Sequence, residues 1–175
     1  TLKYNWKWIC EQNLSVEFVK KNINNISWSY INDKKNLNLK IINELMIYFD
    51  NKSFNNIIKY QILDDNFINK YNKHFTFNNW KDISKYQKLN EKTIRFFKDK
   101  VYWTNIIIYQ NLNEKFLIEF INKIQILKLW KLVSSKQKLT YNFISKFINN
   151  LNINSITKNQ KLNEKIIEDI YLKFN

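Results

Sequence analysis

A glutamine, a leucine two residues after it and a helix-capping side chain directly after the leucine recur together along this chain. No other feature limits its fold as much. With the glutamine as position zero, the pattern falls on Gln12, Gln61, Gln87, Gln110, Gln137 and Gln160, with Lys35 at that place in the second unit. Successive copies are 23 to 27 residues apart, a period typical of arrays of small supersecondary units. Position +2 is Leu14, Leu37, Leu63, Leu89, Leu112, Leu139 and Leu162. Position +3 is Ser15, Asn38, Asp64, Asn90, Asn113, Thr140 and Asn163. Each of these can accept a hydrogen bond from the free N–H groups that open a helix.

The flanking residues show the same periodicity. Position −7 is Trp28, Phe54, Trp80, Trp103, Trp130 and Ile153, and position −4 is Ile31, Ile57, Ile83, Ile106, Val133 and Ile156. In the first unit Trp6 stands one residue closer and Trp8 takes the −4 place. Asp65, Glu91, Glu114 and Glu164 follow the cap, putting negative charge at the positive end of the helix dipole. Apolar pairs come next, as in Phe67/Ile68, Phe116/Leu117 and Phe143/Ile144, with another apolar residue usually one turn on. That spacing makes a helical stripe rather than the alternation of a strand. An apolar residue at +14 closes each unit: Ile26, Phe49, Phe75, Val101, Ile124, Leu151 and Phe174.

The pattern predicts an all-α fold, a right-handed α-solenoid of seven short helix-turn-helix repeats forming one array over residues 1–175. Units start near residues 6, 28, 54, 80, 103, 130 and 153. Helices this short are marginal alone, so the stripes must be buried by stacking on neighbours. Trp28, Trp80, Trp103 and Trp130 with Leu63, Leu89, Leu112, Leu139 and Leu162 are the expected core between repeats. The longer links, before Phe54, Trp80 and Trp130, are expected to project from one edge. Tyr4-Asn5-Trp6 matches the link Val101-Tyr102-Trp103, and Phe174-Asn175 stops where another Trp would fall. The expectation is therefore an excerpt of a longer array, or ends that pack on partners.

Composition narrows the function. Glycine and proline are both absent, which excludes phosphate-binding glycine loops and nucleophile elbows. Asn is then the expected residue wherever a helix ends in a left-handed conformation. A single cysteine, Cys10, and a single histidine, His74, supply at most half of a zinc site. No nucleophile–base pairing recurs, so neither catalysis nor a cofactor is expected. No signal peptide opens the chain, and an intracellular or virion-associated setting is the expectation.

The formal charge is +14, from 29 basic and 15 acidic residues. It can mean an anionic partner, or only the Lys- and Asn-rich usage of an AT-rich genome. The nearly constant Gln61, Gln87, Gln110, Gln137 and Gln160 are better suited to bonding free helix-end carbonyls than to reading bases, because a reader must vary. The variable places are +1 and +5. There Lys88, Lys92, Lys115, Lys138, Lys161 and Lys165 form a possible ligand ridge, for which a plain solvated face is the competing reading. Tyr60, Tyr86 and Tyr109 precede three successive glutamines and could add stacking or simply cover the core edge.

From Trp80 to Ile94 the chain reads W-x-x-I-S-x-x-Q-x-L-N-E-x-x-I. This resembles the short tandem repeats of proteins in giant DNA viruses and large phages. Lys35, Ile153 and the shift in the first unit depart from that motif. The resemblance implies a repeat architecture in an AT-rich viral setting and implies no activity. The resulting expectation is a non-catalytic scaffold for protein–protein interaction, possible as a viral structural or host-interaction protein. The alternative is a nucleic-acid-binding solenoid that uses the lysine ridge. A protein partner, including neighbouring repeats of a longer chain, is expected first and nucleic acid second; no metal or membrane is expected.

Overall fold

The computed structural model describes residues 9, 10, 12, 14–26, 39–46 and 51–174. Trp6, Trp8, Trp28, Lys35 and the second unit's Leu37 and Asn38 lie outside them. The described residues hold thirteen α-helices, one 3-10 turn (Ile23–Asn25) and no strand. The fold is all-α. The chain divides into two compact units, Thr1–Asn90 and Glu91–Asn175.

In the first unit α1 (Val16–Lys21), α2 (Leu39–Leu45) and α4 (Asp65–Tyr71) are second helices of their repeats. The longer α3 (Asn51–Tyr60) and α5 (Phe77–Tyr86) are first helices. Like packs on like, with α1 against α2 and α3 against α5. In the second unit α7 (Trp103–Tyr109), α10 (Trp130–Lys136) and α12 (Ile153–Asn159) are first helices. The second helices are α6 (Glu91–Phe96), α8 (Glu114–Glu119), α11 (Tyr141–Phe147) and α13 (Glu164–Phe174), and α9 (Ile121–Ile126) continues from α8. Here α10 lies between α7 and α12, and α11 packs on α13. Within each unit, equivalent helices of consecutive repeats are neighbours.

The helices start where their side chains dictate. Ser15, Asp64, Asn113, Thr140 and Asn163 each accept a hydrogen bond from the backbone N–H three residues on, which satisfies a donor that the helix itself cannot. Two of the longer links differ from the projecting loops expected of them. Residues 51–53 and 77–79 are the first turns of α3 and α5. The second start has a reciprocal cap: Thr76 Oγ1 accepts from Asn79 N–H, and Asn79 Oδ1 accepts from Thr76 N–H at 2.9 Å.

Helix ends also depart from expectation. Among the described residues the only positive φ belongs to Lys128, at 55°, and no asparagine takes a left-handed position. The first helices run out instead through an extended glutamine, with φ near −91° and ψ 145° at Gln87 and φ −95° and ψ 150° at Gln137. Extended backbone from the glutamine to the cap makes the turn without any special residue.

The core follows the repeat. Ile57, Ile83, Ile106 and Val133 are fully buried, as are Ile68, Phe116 and Leu117. Trp80, Trp103 and Trp130 are buried, with Leu63, Leu89 and Leu112, whereas Leu139 and Leu162 are half-buried. The tryptophans serve their own hairpin as well as its neighbour. Trp103 packs on Phe120 at 4.8 Å between ring centroids and Trp130 on Phe147 at 5.6 Å, both within one repeat. The Trp103 indole N–H then donates to Lys98 O of the preceding repeat at 2.8 Å.

Candidate functional site

Three side-chain devices join consecutive repeats, and they determine which residues are left at the surface. The first is the glutamine. Gln87 Nε2 donates to the carbonyls of Ile58 and Gln61, and its Oε1 accepts from Leu63 N–H at 2.8 Å. Gln137 repeats this one register on, with Ile107 O, Gln110 O at 2.9 Å and Leu112 N–H at 3.1 Å. Gln160 does so again with Ser134 O, Gln137 O and Leu139 N–H. Each amide thus reaches back to positions −3, 0 and +2 of the previous repeat. There it satisfies two carbonyls at a helix end and one N–H of the turn. Gln61, Gln87, Gln110 and Gln137 are no more than 4% exposed.

The second device is the acid after the cap, and it points forward. Glu91 accepts from Asn113 N–H and Asn113 Nδ2, both at 2.8 Å. Glu114 accepts from Thr140 N–H and from Thr140 Oγ1 at 2.9 Å. Asp65 likewise accepts from Asn90 Nδ2. Sequence reasoning saw in these acids only a helix-dipole role. The third device is the serine after the −4 residue: Ser134 Oγ donates to Trp130 O at 2.7 Å and accepts from Asn152 N–H at 2.9 Å.

The lysines expected to form a ligand ridge lie in or just after the turns between the two helices of their repeats. Lys88, Lys92, Lys115, Lys138, Lys161 and Lys165 are all exposed. In the second unit Lys92 and Lys115 directly follow the acids bonded to Asn113 and Thr140, and Lys138 lies two residues before Thr140. Lys161 directly follows Gln160, whose Oε1 accepts from the N–H of Leu139, the residue after Lys138. Lys165 Nζ sits over the Tyr141 ring at 4.6 Å. Among the described residues, Lys92, Lys115, Lys138 and Lys161 have no acid within ion-pair distance. Glu91 and Glu114, the acids directly before Lys92 and Lys115, are turned into the joints between repeats. Arg95 differs, pairing with Glu119 at 2.8 Å and Glu91 at 3.5 Å. Lys88 belongs to the first unit, where the Gln87–Leu63 bond sets it beside Ile62, 67% exposed.

Tyr60, Tyr86 and Tyr109 are each about half exposed, and Lys85 Nζ lies 4.7 Å from the Tyr86 ring centroid. Cys10 is buried, and His74 is exposed beside Tyr71. Among the described residues no three His, Cys, Asp or Glu side chains gather in a way that could hold a metal ion. No helix among them is long and apolar enough to cross a membrane. Comparison with family models, curated proteins and solved structures finds no match for the chain.

Proposed function

We propose that the chain is a non-catalytic repeat scaffold that binds a protein partner along its turn edge. The observation that carries this reading is a division of labour within the repeat. The near-constant residues (glutamine, +2 leucine and first-helix core) are mostly buried and used up in joining repeats. The residues that change from one repeat to the next, at +1 and +5, are exposed in every described repeat. Holding variable side chains in a constant register is how repeat proteins build extended binding surfaces. Each unit is read as an α-solenoid of helix-turn-helix repeats. The motif resemblance adds a viral, virion-associated or intracellular setting to the proposal.

The second reading is a nucleic-acid-binding solenoid, favoured by the four exposed lysines without acid partners on the second unit's edge. Anisotropy titrations with mixed-sequence DNA and RNA across a salt series separate the two. The scaffold reading expects no binding even at low salt. Tight binding with a log–log salt slope of about −3.5, as four phosphate contacts to duplex DNA would give, overturns it in favour of the second. The triple variant K115E/K138E/K161E must then flatten that slope.

A further inference from the structure

Positive and negative charge are unevenly shared along the chain. The 44 residues from Phe120 to Asn163 hold eight lysines and no Asp or Glu. Four of those lysines stand at the turns of two adjoining repeats. Lys136 ends α10 and Lys138 lies in the turn to α11, one residue to either side of Gln137. Lys158 stands in the last turn of α12, and Lys161 directly follows Gln160. All four are exposed. α10 packs on α12, and Gln160 ties their turns together. Its Nε2 donates to Ser134 O at 3.0 Å and Gln137 O at 2.8 Å, and its Oε1 accepts from Leu139 N–H at 3.2 Å. Lys138 is the residue between Gln137 O and Leu139 N–H, both held by that amide, and Lys161 is the residue after it.

The groups that could balance this charge are committed elsewhere. Among the described residues none of the four lysines has an acid within ion-pair distance. Glu114, the acid that reaches this turn, accepts from Thr140 N–H and Thr140 Oγ1. The α10 helix-end carbonyls Ser134 O and Gln137 O accept from Gln160. At +4, where Asp65, Glu91, Glu114 and Glu164 stand in other repeats, this repeat has Tyr141. Ammonium groups gathered at one joint repel one another, and an anionic partner relieves that repulsion.

We infer, on the basis of the scaffold reading, that turns 136–140 and 158–163 dock an acidic, extended segment of the partner protein, its carboxylates pairing with Lys136, Lys138, Lys158 and Lys161. A peptide suits these turns better than a nucleic acid does. The −1 place, tyrosine in three earlier repeats, is here Lys136 and Asn159, so it offers no ring on which a base could stack. Tyr141 is half-buried, with Lys165 Nζ over its ring at 4.6 Å. All four cations are ammonium groups, point charges that pair with a carboxylate without demanding the planar fork of an arginine. Packed helices lie about 8–10 Å apart, and an extended chain advances about 3.3 Å per residue. About every third residue of the segment therefore arrives at the next turn.

Fluorescence anisotropy of the full chain with a labelled peptide of repeated Glu-Ser-Ser triplets tests this, beside a single-stranded oligonucleotide of equal charge. Ionic strength is held at about 0.15 M, where exposed charges more than about 8 Å apart are largely screened. The peptide should bind, and K136E/K138E and K158E/K161E should each weaken it by about tenfold or more. K131E/K146E makes the same change in net charge at the other end of the hairpin, where Lys131 lies in the first turn of α10 and Lys146 in the last turn of α11. It should shift the affinity by less than about twofold. Unchanged helical circular dichroism shows that the variants fold. No peptide binding, or an affinity that does not distinguish the three variants, overturns the inference and leaves the scaffold reading standing with a partner of other chemistry. An oligonucleotide held more tightly than the peptide, and released by K136E/K138E, overturns both.

Discussion

Replacing Gln137 by leucine removes one joint between repeats while keeping nearly all of the side chain's bulk. Gln137 is 4% exposed and makes three hydrogen bonds, to Ile107 O at 2.6 Å, Gln110 O at 2.9 Å and Leu112 N–H at 3.1 Å. At about 1 kcal/mol net for each bond, the substitution should cost about 3 kcal/mol. Both carbonyls stand at the end of a helix, and losing the amide donor there pushes the cost toward the upper side. Gln160→Leu is the internal control. Its three bonds are of the same kind but only part-buried. Water can replace them, so about 1 kcal/mol is expected. Urea denaturation followed by far-ultraviolet circular dichroism measures both costs. Hydrogen exchange locates the first one: in Q137L the Leu112 amide, one repeat away, should speed up most, while Leu139 keeps the protection that Gln160 gives it. A cost for Q137L under about 0.5 kcal/mol, or no faster exchange at Leu112, refutes the assignment of the amide as the joint.

The acids give a paired comparison. Glu114→Gln weakens two charge-assisted bonds to Thr140 at a half-exposed site and should cost about 1 kcal/mol, whereas Glu164→Gln, with no such partner inside the described chain, should leave the unfolding midpoint of the dilute monomer unchanged. Equal effects would show that the acids act only through the helix dipole. Lys128, held at a φ of 55°, is the one described place where a side chain works against the backbone. Lys128→Gly should therefore raise stability by up to about 1 kcal/mol in the same denaturation assay, and a loss would mean that the lysine chain packs usefully there.

The parts of this fold that can be read from the sequence are those fixed within one or two turns of chain. A cap and the N–H it serves are three residues apart, so Ser15, Asp64, Asn113, Thr140 and Asn163 announce their helices directly. The buried pairs Phe67/Ile68 and Phe143/Ile144 are legible for the same reason, because a helical stripe is local. The joints are not local. Glu114 and Thr140 are 26 residues apart, and a periodic sequence looks the same whether a side chain reaches back or forward. The sequence marked the glutamine and the acid as recurring but could not show that one points back and the other on. Asn79 misled for a different reason. In a chain without proline or glycine nothing punctuates a link, and only the reciprocal cap with Thr76 shows that residues 77–79 are already helix. At the edge, the +1 and +5 lysines were visible as variable positions. Their isolation from the neighbouring acids was not, because it depends on where the Glu91 and Glu114 carboxylates go.

The turn between the two helices of a repeat is built from negative φ throughout, from Gln137 at −95° to Thr140 at −81°. Such a turn demands no particular residue of its backbone, so the +1 place inside it can change identity without a conformational penalty. A duplicated repeat would keep its register as long as glutamine, leucine, a capping residue and a few core side chains survive the copying. Everything else on the unit is open to drift. Such a protein can thus be lengthened by duplication, each new copy then diverging on the outside alone.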